Sequence, residues 1–217
     1  MTRMLLRVAA VVAATLTLGG TAAMGVAAAG ERNQDVTCHS GDVLTGFYGT
    51  VTVPKGNFCE LLQATVKGDV IAQNGAVQLG IDNSQIAGSV TSTGITDNGW
   101  ICGSRIGGNV VITNAVNNPE TVNSPGQWDI GFADPNFCGA TAFDPVPGNA
   151  IGGTLKFAQN ASGGELANND VEARLVCTGN TPPPTGANNQ VDKAATGQCT
   201  GLTGGTDNDT TSPGDND

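Results

Sequence analysis

The chain has 217 residues and a formal net charge of −10, from 19 acidic and 9 basic residues, with 4% aromatics and 32 glycines. Nucleic-acid binding needs a basic stripe to neutralise phosphates, and attraction to an anionic leaflet needs a polybasic cluster, so this balance excludes both. An apolar fraction of 39% is too high for wholesale disorder, and the glycines lack the strict triplet of a collagen.

Residues 1–29 read as a secretory signal. Arg3 and Arg7 supply a positive start, Val8 to Leu18 is apolar and uncharged, and Ala27, Ala28 and Ala29 give small residues at a cleavage site. Gly19, Gly20, Thr21 and Gly25 dilute the segment relative to a membrane span. Secretion is therefore expected, with no membrane attachment after cleavage. Removing the segment leaves seven basic residues and raises the net charge to −12.

All six cysteines follow this segment: Cys38, Cys59, Cys102, Cys138, Cys177 and Cys199. An even number in an exported chain predicts three disulfides. Six cysteines allow 15 connectivities; the favoured set is the local one, Cys38–Cys59, Cys102–Cys138 and Cys177–Cys199. Metal ligation would need clustered ligands, but the cysteines lie 21 to 43 residues apart and His39 is the sole histidine, so no metal or other cofactor is expected.

From residue 47 onward a repeat of about twenty residues organises the chain. Phe47-Tyr-Gly-Thr-Val51, Val66-Lys-Gly-Asp-Val70, Ile86-Ala-Gly-Ser-Val90, Ile106-Gly-Gly-Asn-Val110, Ile151-Gly-Gly-Thr-Leu155 and Val171-Glu-Ala-Arg-Leu175 share one pattern. Their centres, Gly49, Gly68, Gly88, Gly108, Gly153 and Ala173, are separated by 19, 20, 20, 45 and 20 residues. The 45 is one coil plus an insertion. The period of two points Phe47, Val66, Ile86, Ile106, Ile151 and Val171 inward, together with the second apolar column from Val51 to Leu175 and the small residues between them. Thr50, Asp69, Ser89, Asn109, Thr154 and Arg174 face outward.

A strand this short buries its apolar face only by stacking on its equivalents, so the repeat predicts a solenoid. The fold expected is all-β: a short single-stranded right-handed parallel β-helix of about six coils, with an inserted loop and disulfides. A leucine-rich repeat has a similar period but lacks its frame here; a jelly roll is the competing arrangement. Phe58 to Leu62, Gly75 to Gly80 and Gly99 to Cys102 suit second strands, with Trp100 a packing residue. Asn74, Asn114, Asn160 and Asn180 follow the repeat centres by six or seven places, where asparagine tolerates a left-handed corner.

The organisation expected is a signal at 1–29, an N-terminal cap at 30–46, a β-helix at 47–180 with an insertion at 115–150, a C-terminal cap at 181–202 and a disordered acidic tail at 203–217. The insertion holds Trp128, Phe132, Phe137 and Phe143, four of nine aromatics. Inserted loops carry function more often than scaffolds do.

The chain resembles a group of small secreted actinobacterial proteins of mostly unknown function, with short right-handed parallel β-helix repeats. The resemblance rests on the Ala/Val-rich signal, on Ile-Gly-Gly-Asn-Val-Val-Ile from Ile106, and on Cys177-Thr-Gly-Asn-Thr-Pro-Pro-Pro running to Gly197-Gln-Cys199. It implies a secreted β-helix and brings no catalytic residues.

No P-loop, dinucleotide fingerprint, His-Glu-x-x-His, EF-hand or nucleophile elbow is present. Paired carboxylates for sugar chemistry are the enzymatic alternative: Asp69, Asp82 and Asp97 on neighbouring coils, or Asp129 and Asp134 in the insertion. A lyase also needs basic groups, and Lys67, Arg105, Lys156 and Arg174 are too scattered in sequence to assign. Ice binding would need a flat threonine ladder that the outward column interrupts. The reading is thus a non-catalytic extracellular or cell-envelope module, a monomer with no assigned catalytic, cofactor or metal site, binding a cell-envelope glycan or protein; the alternative is a polysaccharide-active enzyme or a glycan binder.

Overall fold

The computed structural model describes residues 33–116, 127–131 and 148–204. Residues 1–29, the greater part of the insertion and the tail from 205 lie outside this set. The chain winds as a right-handed parallel β-helix of about six coils, as the repeat predicted. An eight-stranded parallel sheet forms the first face: Val36–Thr37, Val51–Val53, Val70–Ala72, Val90–Thr93, Val110–Thr113, Leu155–Ala158, Arg174–Thr178 and Ala194–Gly197. The second and third faces are one larger sheet, joined where Phe58–Val66 runs through both. The second continues through Gln78–Asp82, Gly99–Cys102, Trp128–Ile130 and Gly164–Leu166, the third through Gln85–Ile86, Arg105–Ile106, Ala150–Ile151, Asp170–Val171 and Gln190–Val191.

The interior is built from aligned columns. Val51, Val70, Val90, Val110, Leu155 and Leu175 are fully buried on the first face; Leu61, Ile81, Ile101, Ile130 and Leu166 on the second; Val66, Ile86, Ile106, Ile151 and Val171 on the third. Each lies one coil, about 4.8 Å, from its neighbour. Large rings enter this stack where glycine leaves room. An added Cβ at Gly99 would meet the buried Trp128 indole, and one at Gly164 would meet the Phe157 ring. Trp128 thus belongs to the core, although the sequence reading placed it in an inserted loop.

Two sequence readings need correction. Phe47 was expected inside but is 53% exposed. Register shifts at Leu44/Gly46, so that Tyr48, not Phe47, pairs with Val66. The first coil has one residue fewer between this position and its corner glycine, which accounts for the 19-residue step. The glycine column was also expected inside. Its members stand at the corner between the third and first faces, and the preceding coil's polar residue leans over them: an added Cβ would lie 2.5 Å from Thr50 Oγ1 at Gly68 and 2.5 Å from Asn109 Oδ1 at Gly153. Those polar atoms have work at the corner. Asp69 Oδ1 accepts the Ser89 N–H at 2.7 Å, Ser89 Oγ the Asn109 N–H at 3.1 Å, and Asn109 Oδ1 the Thr154 N–H at 2.8 Å.

The other two corners share a different device, a left-handed residue followed by a side chain turned inward. Asn83, Asn168 and Asn188 have φ of 48, 59 and 58° and precede Ser84, Asn169 and Asn189. Ser84, Ser104, Asn149, Asn169 and Asn189 are buried in one line. Ser84 N donates to Ser104 Oγ at 3.0 Å, Ser104 N to Asn149 Oδ1 at 2.9 Å, Asn149 Nδ2 to Asn169 Oδ1 at 3.0 Å, and Asn169 Nδ2 to Asn189 Oδ1 at 2.9 Å. Of the asparagines assigned to left-handed corners, only Asn114 adopts one (φ 57°). Asn160 and Asn180 form a second buried ladder, ending on Gln198. Buried amides cost free energy unless paired, and stacking pairs them coil by coil.

Disulfides close both ends. Cys38–Cys59 and Cys177–Cys199 form as expected, with Cα separations of 5.9 and 5.2 Å, and all four residues are buried. Cys102 is also disulfide-bonded; its expected partner, Cys138, lies outside the described residues.

Candidate functional site

The second face has an outward row that alternates with its buried column. Backbone register sets Glu60 beside Gly80, Gly80 beside Trp100, Trp100 beside Asp129 and Asp129 beside Glu165. Gly80 decides the geometry here: an added Cβ would collide with the six-membered side of the Trp100 indole. The indole therefore lies flat across the coil beneath it. Its Nε1 donates to Asp82 Oδ2 at 2.7 Å, which fixes the ring's rotation as well as its tilt.

Asp82 stands two residues along from Gly80 and is 4% exposed. Its second oxygen, Oδ1, is buried without a hydrogen-bond partner among the described residues. Burial pushes the carboxyl up to about 6; the Glu60 charge adds to the rise, and the indole hydrogen bond opposes it. The result is a half-buried tryptophan held by an acid, with Glu60, Asp129 and Glu165 in its own row.

The carboxylates proposed from sequence do not converge as a set. Asp69 sits at the corner between the third and first faces, its Oδ1 engaged by the Ser89 N–H. Asp97 lies before the Gly99–Cys102 strand, with its N–H bonded to the Val77 carbonyl. Asp82 and Asp129 share the second face, and Asp134 lies outside the described residues. Glu60 and Glu165 were missed. Their signal was available: Glu60 precedes Trp100 by two coil lengths, but the second strands lack the glycine centre that aligned the first ones. Trp100, read as a packing residue, packs on its inner side only.

Of the four basic residues considered, the fold brings two together. Lys67 and Arg105 line one groove on the third face, with Thr65, Gln85, Ala87 and Gly107. Among the described residues no group of three or more His, Cys, Asp or Glu could hold a metal ion, and no helix is long and apolar enough to cross a membrane. No family model, no curated protein and no solved structure matches the chain.

Proposed function

We propose that the protein is a secreted, non-catalytic module that binds an extracellular or cell-envelope glycan across the second face. The observation that carries this reading is the Trp100 indole, laid flat on Gly80 and locked by Asp82. A sugar ring presents an apolar face of C–H groups that stacks on an aromatic plane. Its hydroxyls donate to nearby carboxylates, and Glu60 and Asp129 flank the indole one or two coils away. A fixed indole loses little entropy on binding, which favours affinity.

The enzymatic alternative has one observation in its favour, the raised pKa of Asp82 beside Glu60, as in a general acid paired with a second carboxylate. Access argues against it. A general acid has to come within hydrogen-bond reach of the glycosidic oxygen, whereas Asp82 is 4% exposed and its Oδ2 is taken by the indole. Asp82 is a positioning residue for Trp100.

The test uses the full secreted chain and an array of soluble neutral and amino-sugar polysaccharides, with Trp fluorescence and calorimetry as binding readouts. Saturable binding lost in Trp100→Ala, with no reducing ends or unsaturated sugars released, is expected. Turnover of any bound polysaccharide overturns the non-catalytic reading, and unchanged binding in Trp100→Ala removes the site.

A further inference from the structure

The third face carries a second feature, unrelated to Trp100. Its outward positions form two rows: Thr65, Gln85, Arg105, Ala150, Asp170 and Gln190 in one, aligned by backbone register, and Lys67, Ala87, Gly107, Gly152, Glu172 and Asp192 in the other, aligned by hydrogen bonds of each N–H to the coil before. Small residues in the second row leave a groove of about 250 Å³ between Lys67 and Arg105. Apolar atoms of Val66, Ile86 and Ala87 contribute to its lining.

Both cations are exposed. Among the described residues neither makes an ion pair; the one ion pair there joins His39 to Asp42. In a chain with 9 basic and 19 acidic residues, two cations brought to one groove and left without carboxylate partners stand out. The acids of this face begin beyond the groove, at Asp170, Glu172 and Asp192. Positive charge thus occupies its N-terminal half and negative charge its C-terminal half.

We propose that this groove binds an extended anionic glycan with a carboxylate on alternate sugars. Lys67 and Arg105 lie two coils apart, about 10 Å along the axis, close to one disaccharide of an extended chain. One carboxylate meets Arg105, whose fork accepts it through two N–H groups, and the next meets Lys67. The intervening neutral sugar lies over Gln85 and Ala87. Asp170 and Glu172 repel further carboxylates, so a single pair is engaged and lengthening the glycan adds little. A second copy of the chain, its acidic half set against these cations, fits less well: strands two residues wide offer less surface than the roughly 1,200 Å² a stable interface buries.

The test measures binding of hyaluronate oligosaccharides, which carry a carboxylate on alternate sugars, with neutral dextran and fully charged polygalacturonate for comparison. Hyaluronate tetrasaccharide and octasaccharide are expected to bind with similar affinity, weakening as salt rises, while dextran does not occupy the groove. Lys67→Gln and Arg105→Gln, both surface changes that leave folding intact, each weaken hyaluronate binding roughly tenfold, and Trp100→Ala leaves it unchanged. Tighter binding of polygalacturonate than of hyaluronate at equal length overturns the alternate-sugar spacing. Unchanged hyaluronate affinity in the double variant, or concentration-dependent dimers broken by Lys67→Gln, overturns the proposal outright. Because the two faces are tested by different variants and polymers, failure at the groove leaves the Trp100 reading standing, and the reverse.

Discussion

Replacing Asp82 by asparagine separates the cost of a buried charge from the benefit of a fixed indole. Asp82 titrates near 3.8 when solvated and at about 6 in the folded protein. The folded chain therefore holds this proton more tightly than the unfolded chain. Stability conferred by the neutral acid is fully present below pH 3.8, declines as pH rises towards 6, and is absent at pH 7. Two units or so correspond to about 3 kcal/mol at 1.36 kcal/mol per unit. Asparagine has no charge to desolvate, and its Oδ1 still accepts the Trp100 N–H. Its amide nitrogen replaces an oxygen that already lacks a hydrogen-bond partner, a fixed cost of about 1–3 kcal/mol at every pH. The pH-dependent part is thus the diagnostic quantity. Urea unfolding of the disulfide-intact proteins at pH 3.5, 5 and 7, followed by circular dichroism, should show the stability of Asp82→Asn relative to the parent rising by about 3 kcal/mol across this range. Trp100 emission in the parent should titrate with a midpoint near 6 and lose that step in the variant. A difference that stays constant with pH refutes the assignment of a buried, uncompensated carboxylate.

The corner glycines and the end disulfides give two further expectations. Gly68→Ala sets a Cβ against Thr50 Oγ1 and close to the Gly49 carbonyl, and should lower stability by about 1–3 kcal/mol in urea unfolding; adding Thr50→Ala should recover more than about 0.5 kcal/mol of that loss, whereas strict additivity contradicts the leaning-side-chain account. Replacing Cys177 and Cys199 with serine opens a loop of 22 residues and should cost about 2–4 kcal/mol. Because coils contact mainly their neighbours, hydrogen exchange should accelerate first over residues 190–204 and leave Val51–Val53 and Val70–Ala72 protected; uniform acceleration would mean that the solenoid unfolds as one unit.

The parts of the fold that repeat were legible because stacking forces equivalent residues into contact. Val66, Ile86 and Ile106 occupy one buried column, so the period of twenty is written in their chemistry. The glycine column was visible for the same reason, but its cause was not: Gly88 answers to Asp69 twenty residues earlier, and a face assigned by alternation alone misses that pairing. Phe47 failed where the period itself slipped, since a bulge at Leu44/Gly46 exchanges which neighbour points inward. The site was hardest to read. Trp100 and Asp82 belong to strands without a small-residue centre, and the significance of Gly80 appears only when the indole is laid over it. Lys67 and Arg105 looked scattered because 38 residues of sequence separate them, although only one coil lies between theirs.

The 45-residue step has a consequence for how such a protein changes over time. Arg105 pairs with Ala150 in the same register as Gln85 pairs with Arg105, and Val110–Thr113 meets Leu155–Ala158 without a shift. The coils on either side dictate alignment, so length added at this edge is invisible to the ladder. Natural selection can therefore lengthen, shorten or replace the excursion between coils as an independent module. The same edge is a point at which a foreign peptide can be displayed on a rigid frame.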